Sequence, residues 1–284
     1  MTRLSPRHPR YASLLTRAAL AQAAQGGLVV PEGLIAHGRG EAFDYFLGER
    51  TSPSARVAIR AAARLLLAAD HPVLSVNGNV AALAAREVAD VARALPTLRV
   101  EVNLFHRTPS RVRAVAAALH AAGVHAVYGL RPTARLAHLD SDRARIDAEG
   151  MARADVVLIP LEDGDRARAL QRAGKAVISI DLNPLSRTTA VAEVPIVDEL
   201  RRALRLLARD LEALDGRPPR PGRWAFKADA ARAAAIATMV RRLTQAAGTT
   251  RRGSARSSPP RPRGTGRRSR RTPAAPGRRH RSRR

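Results

Sequence analysis

The segment Ala154–Thr188, ADVVLIPLEDGDRARALQRAGKAVISIDLNPLSRT, constrains the fold more than any other stretch of the chain. Val156–Pro160 and Ala176–Leu182 are short apolar runs rich in β-branched residues, the pattern of strands buried on both faces. Between them Asp165–Ala173 alternates in charge and closes on Gly174, which reads as a helix with glycine at its C′ position. The gap is long enough for a parallel crossover, so a strand–helix–strand unit is predicted. Each strand runs directly into polar residues. The first gives Glu162, Asp163, Gly164 and Asp165; the second gives Asp181, Asn183, Ser186 and Arg187. Parallel α/β sheets bind ligands beyond the carboxyl ends of their strands. Both loops therefore point into one crevice, where carboxylates suit a cation or a ribose and an arginine suits phosphate.

Strands and helices alternate along the rest of the chain. Arg10–Gln25 reads as a helix stopped by Gly26-Gly27, and Val57–Ala69 as another. Pro72–Val76 is a strand running into Asn77-Gly78-Asn79 before a helix over Ala81–Ala94. Leu98–Phe105 is a strand whose polar end carries Asn103, His106, Arg107 and Thr108, and the helix Pro109–Ala122 follows. His125–Tyr128 and Val194–Val197 are short strands, and Asp198–Leu214 is an amphipathic helix with acids in its first turn. Four or five strands alternating with helices predict an α/β fold, a mainly parallel sheet flanked by helices with a helical N-terminal segment.

The net charge of +26 invites a nucleic-acid reading, but its distribution is uneven. Residues 217–284 hold 21 basic and 1 acidic residue, leaving 29 basic and 23 acidic for residues 1–216. The body is thus only mildly basic. Helical periodicity persists over Ala225–Ala247 and collapses from Gly248. Residues 248–284 hold 14 arginines, no acid and no aromatic, so a disordered tail and a boundary between a 1–247 domain and a 248–284 tail are expected. A shifted reading frame in GC-rich DNA and a genuine anion-binding tail both account for that composition. The chain has no cysteine, which excludes disulfides and thiolate metal sites. No apolar run approaches the ~20 residues of a membrane helix, and the N-terminus lacks a signal-peptide core. A soluble, cytoplasmic protein with no membrane association is expected.

Familiar nucleotide motifs fail. Gly174-Lys175 is preceded by Ala169 where a Walker loop needs glycine and followed by Ala176 where it needs Ser or Thr. No G-x-G-x-x-G follows a strand. Two weaker features each carry two readings. In His37-Gly38-Arg39-Gly40, the glycines let the backbone approach an anion while Arg39 binds it, or they form an ordinary turn. At Asn77-Gly78-Asn79, the start of the following helix is a ready anion site, or the asparagines simply cap and turn. Residues and spacing alone imply an α/β enzyme for a phosphorylated, anionic ligand.

Five blocks in order carry a resemblance: GLIAHGRGEAFDYFLGE (33–49), PVLSVNGNVAAL (72–83), EVNLFHRT (101–108), ADVVLIPLEDGDRARAL (154–170) and VISIDLNPLSR (177–187). They closely resemble the archaeal 4-phosphopantoate–β-alanine ligases, also called phosphopantothenate synthetases, over about residues 5–215. The resemblance implies a Rossmann-like core, a homodimer, and ATP-dependent joining of (R)-4-phosphopantoate to β-alanine through a phosphopantoyl-adenylate. AMP, diphosphate and 4′-phosphopantothenate, a coenzyme A precursor, are the implied products. It places ATP contacts on Arg17, Arg39, Asp181, Leu182, Asn183, Ser186, Arg187, Asp198 and Glu199. The family pattern has Asp-Asn where this chain has Asp198-Glu199.

The residues suit that chemistry. Fixed guanidiniums and a divalent cation, Mg²⁺, would neutralise charge building on the α-phosphate. Arg39, Asp163, Asp165 and Arg187 are the expected catalytic groups, with Asp163, Asp165 and Asp181 available for Mg²⁺ or the ribose. Asn77, Asn79, Asn103 and Arg107 are the expected substrate contacts; the neutral asparagines do not repel phosphopantoate. Nonspecific nucleic-acid binding through the basic tail, on an otherwise inert α/β domain, is the alternative function.

Overall fold

The computed structural model describes residues 5–8, 10–214 and 226–255, with side chains as far as Gly248. The chain divides into residues 1–245 and residues 246–284. Three helices come first: α1 (Tyr11–Gln25), α2 (Pro31–Leu47) and α3 (Pro53–Leu67). There follow β1 (Pro72–Val76), α4 (Gly78–Ala94), β2 (Arg99–Val102), α5 (Pro109–Ala121) and β3 (Val127–Tyr128). A small hairpin pairs β4 (Ala134–Arg135) with β5 (Arg145–Ile146), antiparallel. The second half holds β6 (Val156–Pro160), α6 (Gly164–Arg172), β7 (Ala176–Ile180), α7 (Arg187–Val191), β8 (Val194–Ile196) and α8 (Leu200–Leu214). Helix α9 spans Ala228–Ala255, running on past Gly248, where the sequence pattern had lost its helical period.

The main sheet has six strands in the order β3-β2-β1-β6-β7-β8, and every adjacent pair is parallel. Counting this sheet alone, the order is 3-2-1-4-5-6, the doubly wound arrangement with its switch point between β1 and β6. Alternate strand residues face opposite sides. Leu74, Val100, Leu158 and Ile178 join α3, α4, α5 and α8 in one apolar cluster. Val73, Val157, Ile159 and Val177 join α6 and the hairpin in the other. The sheet is therefore covered on both faces, as its mainly apolar strands require.

Leu34–Glu41, read from sequence as an anion-binding loop or a turn, is instead the middle of α2. Its start carries Pro31 in the first turn with Glu32 beside it, and its end carries Gly48 in the left-handed region at φ 87°. Gly38 and Gly40 each weaken a helix by about 1 kcal/mol relative to alanine. Packing of Leu47 and Phe43 against Val197, Ala235 and Met239 offsets that penalty.

Gly129, which follows β3, takes φ +77°, and a Cβ there would lie 2.7 Å from the Val102 carbonyl oxygen. Both terms oppose any side chain. Gly129→Ala should therefore destabilise the fold by about 1–3 kcal/mol, read as a lower denaturation midpoint in urea with an unchanged slope.

Candidate active site

A cavity of about 380 Å³ opens at the carboxyl ends of β1, β2, β6 and β7, spanning the switch point. Helix α2 forms one wall with Gly33, Ala36, His37, Arg39 and Gly40. The strand ends contribute Asn77, Gly78 and Asn79; Leu104, Phe105 and His106; Leu161, Glu162 and Asp163; and Asp181 and Leu182. Arg111 from α5, Arg143 from the 3-10 turn before β5, and Val30 and Glu32 at the start of α2 complete it.

Asn77 performs two tasks with one amide. Its Oδ1 accepts the Val80 N–H at 3.0 Å, capping α4, while its Nδ2 donates to the Leu161 carbonyl at 2.9 Å. It thus bolts the end of β1 to the end of β6. Asn79 donates to the Gly33 carbonyl at 2.8 Å and holds α2 against α4. The N–H groups of Gly78 and Asn79, in the first turn of α4, have no preceding helical carbonyl to donate to.

Beneath the strand ends lies a buried polar network. Glu162 is buried and paired with Arg143 and with Arg166, whose Nη1 approaches Glu162 Oε2 at 2.5 Å. Arg166 also donates to Ser75 Oγ at 2.9 Å. Ser75 donates to Asn103 Oδ1, and Asn103 Nδ2 donates to Glu101 Oε1, each at 3.1 Å. Glu101 in turn accepts the N–H groups of Asp147 and Met151. Burial alone would push Glu162 up, but Arg143 and Arg166 hold its carboxyl below the usual carboxylate range. Glu101 goes the other way, raised by burial despite its N–H donors. Burial also raises Asp163 and Asp181, against the pull of Arg143 on the first and of the Ser186 and Asn183 hydrogen bonds and Arg39 on the second. His37 is held low by burial, and so neutral at pH 7, although Glu41 and Glu199 act against the shift.

Of the residues expected from sequence, Arg39, Asp163, Asp181, Leu182, Asn77 and Asn79 line this cavity. Among the described residues Arg39 has no hydrogen-bond or ion-pair partner, although Asp181 feels its charge. The others lie beyond the lining. Arg187 and Asp165 are exposed at the starts of α7 and α6; Gly164 packs against the Arg187 backbone, so these two loops touch. Asn183 Oδ1 accepts the Leu185 N–H at 2.9 Å, and Ser186 caps α7 through the Thr189 N–H at 3.1 Å. Arg17 pairs with Glu41 of α2 at 2.9 Å. Asp198 is buried between Thr51 and Arg202, while Glu199 caps α8 by accepting the N–H groups of Arg201 and Arg202. Asn103 is buried in the network. Arg107 lines a separate groove beside α5 and donates to the carbonyls of Gly129 and Leu130. Phe105, His106, Arg111 and Arg143 are cavity residues that sequence reasoning did not assign. Lys175 precedes β7, at the end of the sheet opposite the cavity, where its Nζ donates to the carbonyls of Ala152 and Ala154.

A sequence profile described as phosphopantothenate/pantothenate synthetase matches residues 54–243. The chain belongs to this family. It is 58% identical over 208 residues to the 4-phosphopantoate–beta-alanine ligase of Methanospirillum hungatei, covering 73% of this chain and 84% of the relative. The ligase of the same name from Methanosarcina mazei is 51% identical over 209 residues, 74% of this chain and 82% of its own. That of Thermococcus onnurineus is 48% identical over 216 residues, 75% and 82% respectively. Family membership covers all the strand ends that build the cavity.

Glu162 gives this site a measurable signature. Glu162→Gln leaves Arg166, which is 0% exposed, without its ion-pair partner. That loss should cost about 3–5 kcal/mol. Because the folded pKa of Glu162 lies below its unfolded value, its stabilisation is complete above the ordinary carboxylate range and lost as pH falls through the lowered value. Glu101 and Asp181, both raised, act with the opposite sign, so the comparison must be wild type minus variant. The stability difference should be largest near pH 7 and shrink on acidification, as read from urea midpoints across pH.

Proposed function

We propose that this cavity joins 4-phosphopantoate to β-alanine at the expense of ATP, in coenzyme A biosynthesis. The observation that carries the reading is a guanidinium, Arg39, with no partner among the described residues, lining the same cavity as Asp181 at strand ends that belong to this family. The acid's carboxylate oxygen attacks the α-phosphorus of ATP, and diphosphate leaves. The amine of β-alanine then attacks the carbonyl carbon of the adenylate, releases AMP and gives up a proton.

The protein's part is orientation and electrostatics. Arg39 is placed by a helix to meet charge growing on the α-phosphate. Asp181, Leu182, Asn183, Ser186 and Arg187 form the turn and helix start that would take the nucleotide. Arg17, Asp198 and Glu199 would shape its outer rim, and Asp165 would stand beside Arg187. Asn77 and Asn79 would meet the acid, with Asn103 and Arg107 acting through the strand ends they hold. Among the described residues, no three metal-ligating side chains converge. The cavity carboxylates Asp163 and Asp181 fit a Mg²⁺ that takes most of its ligands from nucleotide phosphates and water. Such an ion would supply charge neutralisation at the phosphates.

A symmetric homodimer and a cytoplasmic location belong to the same proposal; among the described residues, no helix is long and apolar enough to cross a membrane. So does a boundary near residue 247. Residues 256–284 lie outside the described residues, and their arginines favour a second, salt-sensitive attraction for nucleic acid.

The test is product analysis: ATP should yield AMP and diphosphate only when both 4-phosphopantoate and β-alanine are present. ADP and phosphate as stoichiometric products would refute the mechanism. Arg39→Ala should lower kcat by roughly 10²–10³, and Arg39→Lys should recover only part, because a point charge does not reproduce the guanidinium fork. A chain ending at Ala247 should keep its kcat and its KM for ATP while losing binding to DNA at low salt.

A further inference from the structure

We infer that the groove beside α5, apart from the catalytic cavity, is a second binding site that takes an organic polyphosphate. This inference goes beyond the ligase reading and does not depend on it.

The groove has a volume of about 810 Å³, within the range of small-molecule sites. Four arginines from four places in the chain line it. Arg107 lies beyond β2, Arg113 on α5, Arg131 beyond β3 and Arg145 at the start of β5. None of the four forms an ion pair among the described residues. Elsewhere in the same body arginines do find carboxylates: Arg56 pairs with Asp210, Arg201 and Arg205 with Glu87, and Arg202 with Asp44. Arg113, Arg131 and Arg145 are exposed, and their guanidiniums make no hydrogen bond among the described residues.

Arg107 is half-buried and donates to the carbonyls of Val102, Gly129 and Leu130. Those bonds tie the loop after β2 to the turn after β3, so the segments carrying Arg107 and Arg131 are held together. They satisfy donors without neutralising charge. Burial and the charge of Arg145 hold the Arg107 guanidinium below the usual arginine range, against the pull of Asp142 and Glu101. Asp142 is itself engaged, accepting the Arg107 backbone N–H at 3.2 Å. Like charges gathered in one groove repel, and an anion entering it relieves that repulsion.

The number and spread of the cations define the ligand. One phosphate engages a guanidinium through two oxygens, so four guanidiniums around one space suit a molecule with two or more phosphates. Leu130, 42% exposed, lines the same groove with Val112 and Pro132, which gives an apolar portion of the ligand a surface to cover. No Phe, Tyr or Trp lines it, so it lacks the stacking platform of a single-stranded nucleic-acid site.

The groove and the catalytic cavity share no lining residue. They stand back to back, since Phe105 and His106 line the cavity and Arg107 the groove, and Arg143 lines the cavity and Arg145 the groove. A ligand here occupies neither the nucleotide site nor the acid site.

The test follows amide hydrogen exchange in the full chain as adenosine 3′,5′-bisphosphate is added. Protection is expected over residues 107–113 and 129–135, and none there with adenosine, which lacks phosphates. The concentration giving half of that protection should rise on the order of tenfold or more in Arg131→Gln/Arg145→Gln. It should rise less in Arg131→Lys/Arg145→Lys, which keeps the charge but not the guanidinium fork. Both arginines are exposed and without partners among the described residues, so the urea midpoint should stay where it is. Arg39→Ala, in the catalytic cavity, should leave protection of the groove unchanged. The basic tail is present in every one of these chains and contributes the same background. Protection confined to the cavity segments and abolished by Arg39→Ala would overturn the inference. So would groove protection that is unchanged in the Gln pair, or that adenosine alone produces. Ligation is not read in this experiment, so the ligase reading stands or falls separately.

Discussion

The ion pair between Glu162 and Arg166 is the constraint on which the cavity depends. Both side chains are about 1% exposed, buried beyond the ends of mainly apolar strands. Such pairs add little net stability, because desolvation consumes most of the attraction. What the pair fixes is position. Glu162 lies two residues past β6, and Arg166 is in the first turn of α6, so the pair sets how the helix leaves the strand. Arg166 reaches Ser75 in β1, Ser75 reaches Asn103 beyond β2, and Asn103 reaches Glu101. One chain of hydrogen bonds thus crosses three neighbouring strand ends at the switch point. The same Glu162 orients Arg143, which faces the cavity.

Much of the fold was legible because buried parallel strands write themselves as short apolar runs. Val156–Pro160 is found where the sequence placed it, and the run Ala176–Leu182 holds the strand Ala176–Ile180, two residues shorter, with the helix and Gly174 between. Helix α2 was not, because Gly33, Gly38 and Gly40 carry low helix propensity, and packing of its far end overrides propensity. The hairpin β4–β5 was missed for a different reason. Each strand has two residues, too few to show any period.

The site was legible in part, and strand parity explains which part. Val100 and Val102 face the helices of the main cluster, so Glu101 and Asn103 face the other way. Ser75 and Asn77 bear the same relation to Leu74 and Val76. The polar residues at 75, 101 and 103 therefore meet each other beneath the surface, and Asn103 is consumed before any ligand reaches it. Asn77, one step past the end of β1, emerges at the rim. Arg143 had no signal of this kind, since a 3-10 turn between two-residue strands leaves no pattern. Nor does an alternating charged helix reveal that Arg166 points inward.

The glycines of α2 carry the argument from fold to chemistry one step further. A Cβ at Gly33 would collide with the Asn79 side chain, so a larger residue there would have to displace Asn79. A Cβ at Gly38 or Gly40 would meet nothing within 4 Å. Those two positions give up roughly 1 kcal/mol each of helix stability with no packing gain inside the molecule. They flank Arg39, and Gly40 lines the cavity. Packing at the far end of α2 offsets that cost, and in the proposed reading the open space beside Gly40 is what the cavity uses. Without side chains on either side, a bulky anion can approach the helix backbone while Arg39 closes on it. In the proposed reading, α2 is anchored through Asn79 and through Glu41 to Arg17, so the helix that carries Arg39 is held where a glycine-rich loop would not be.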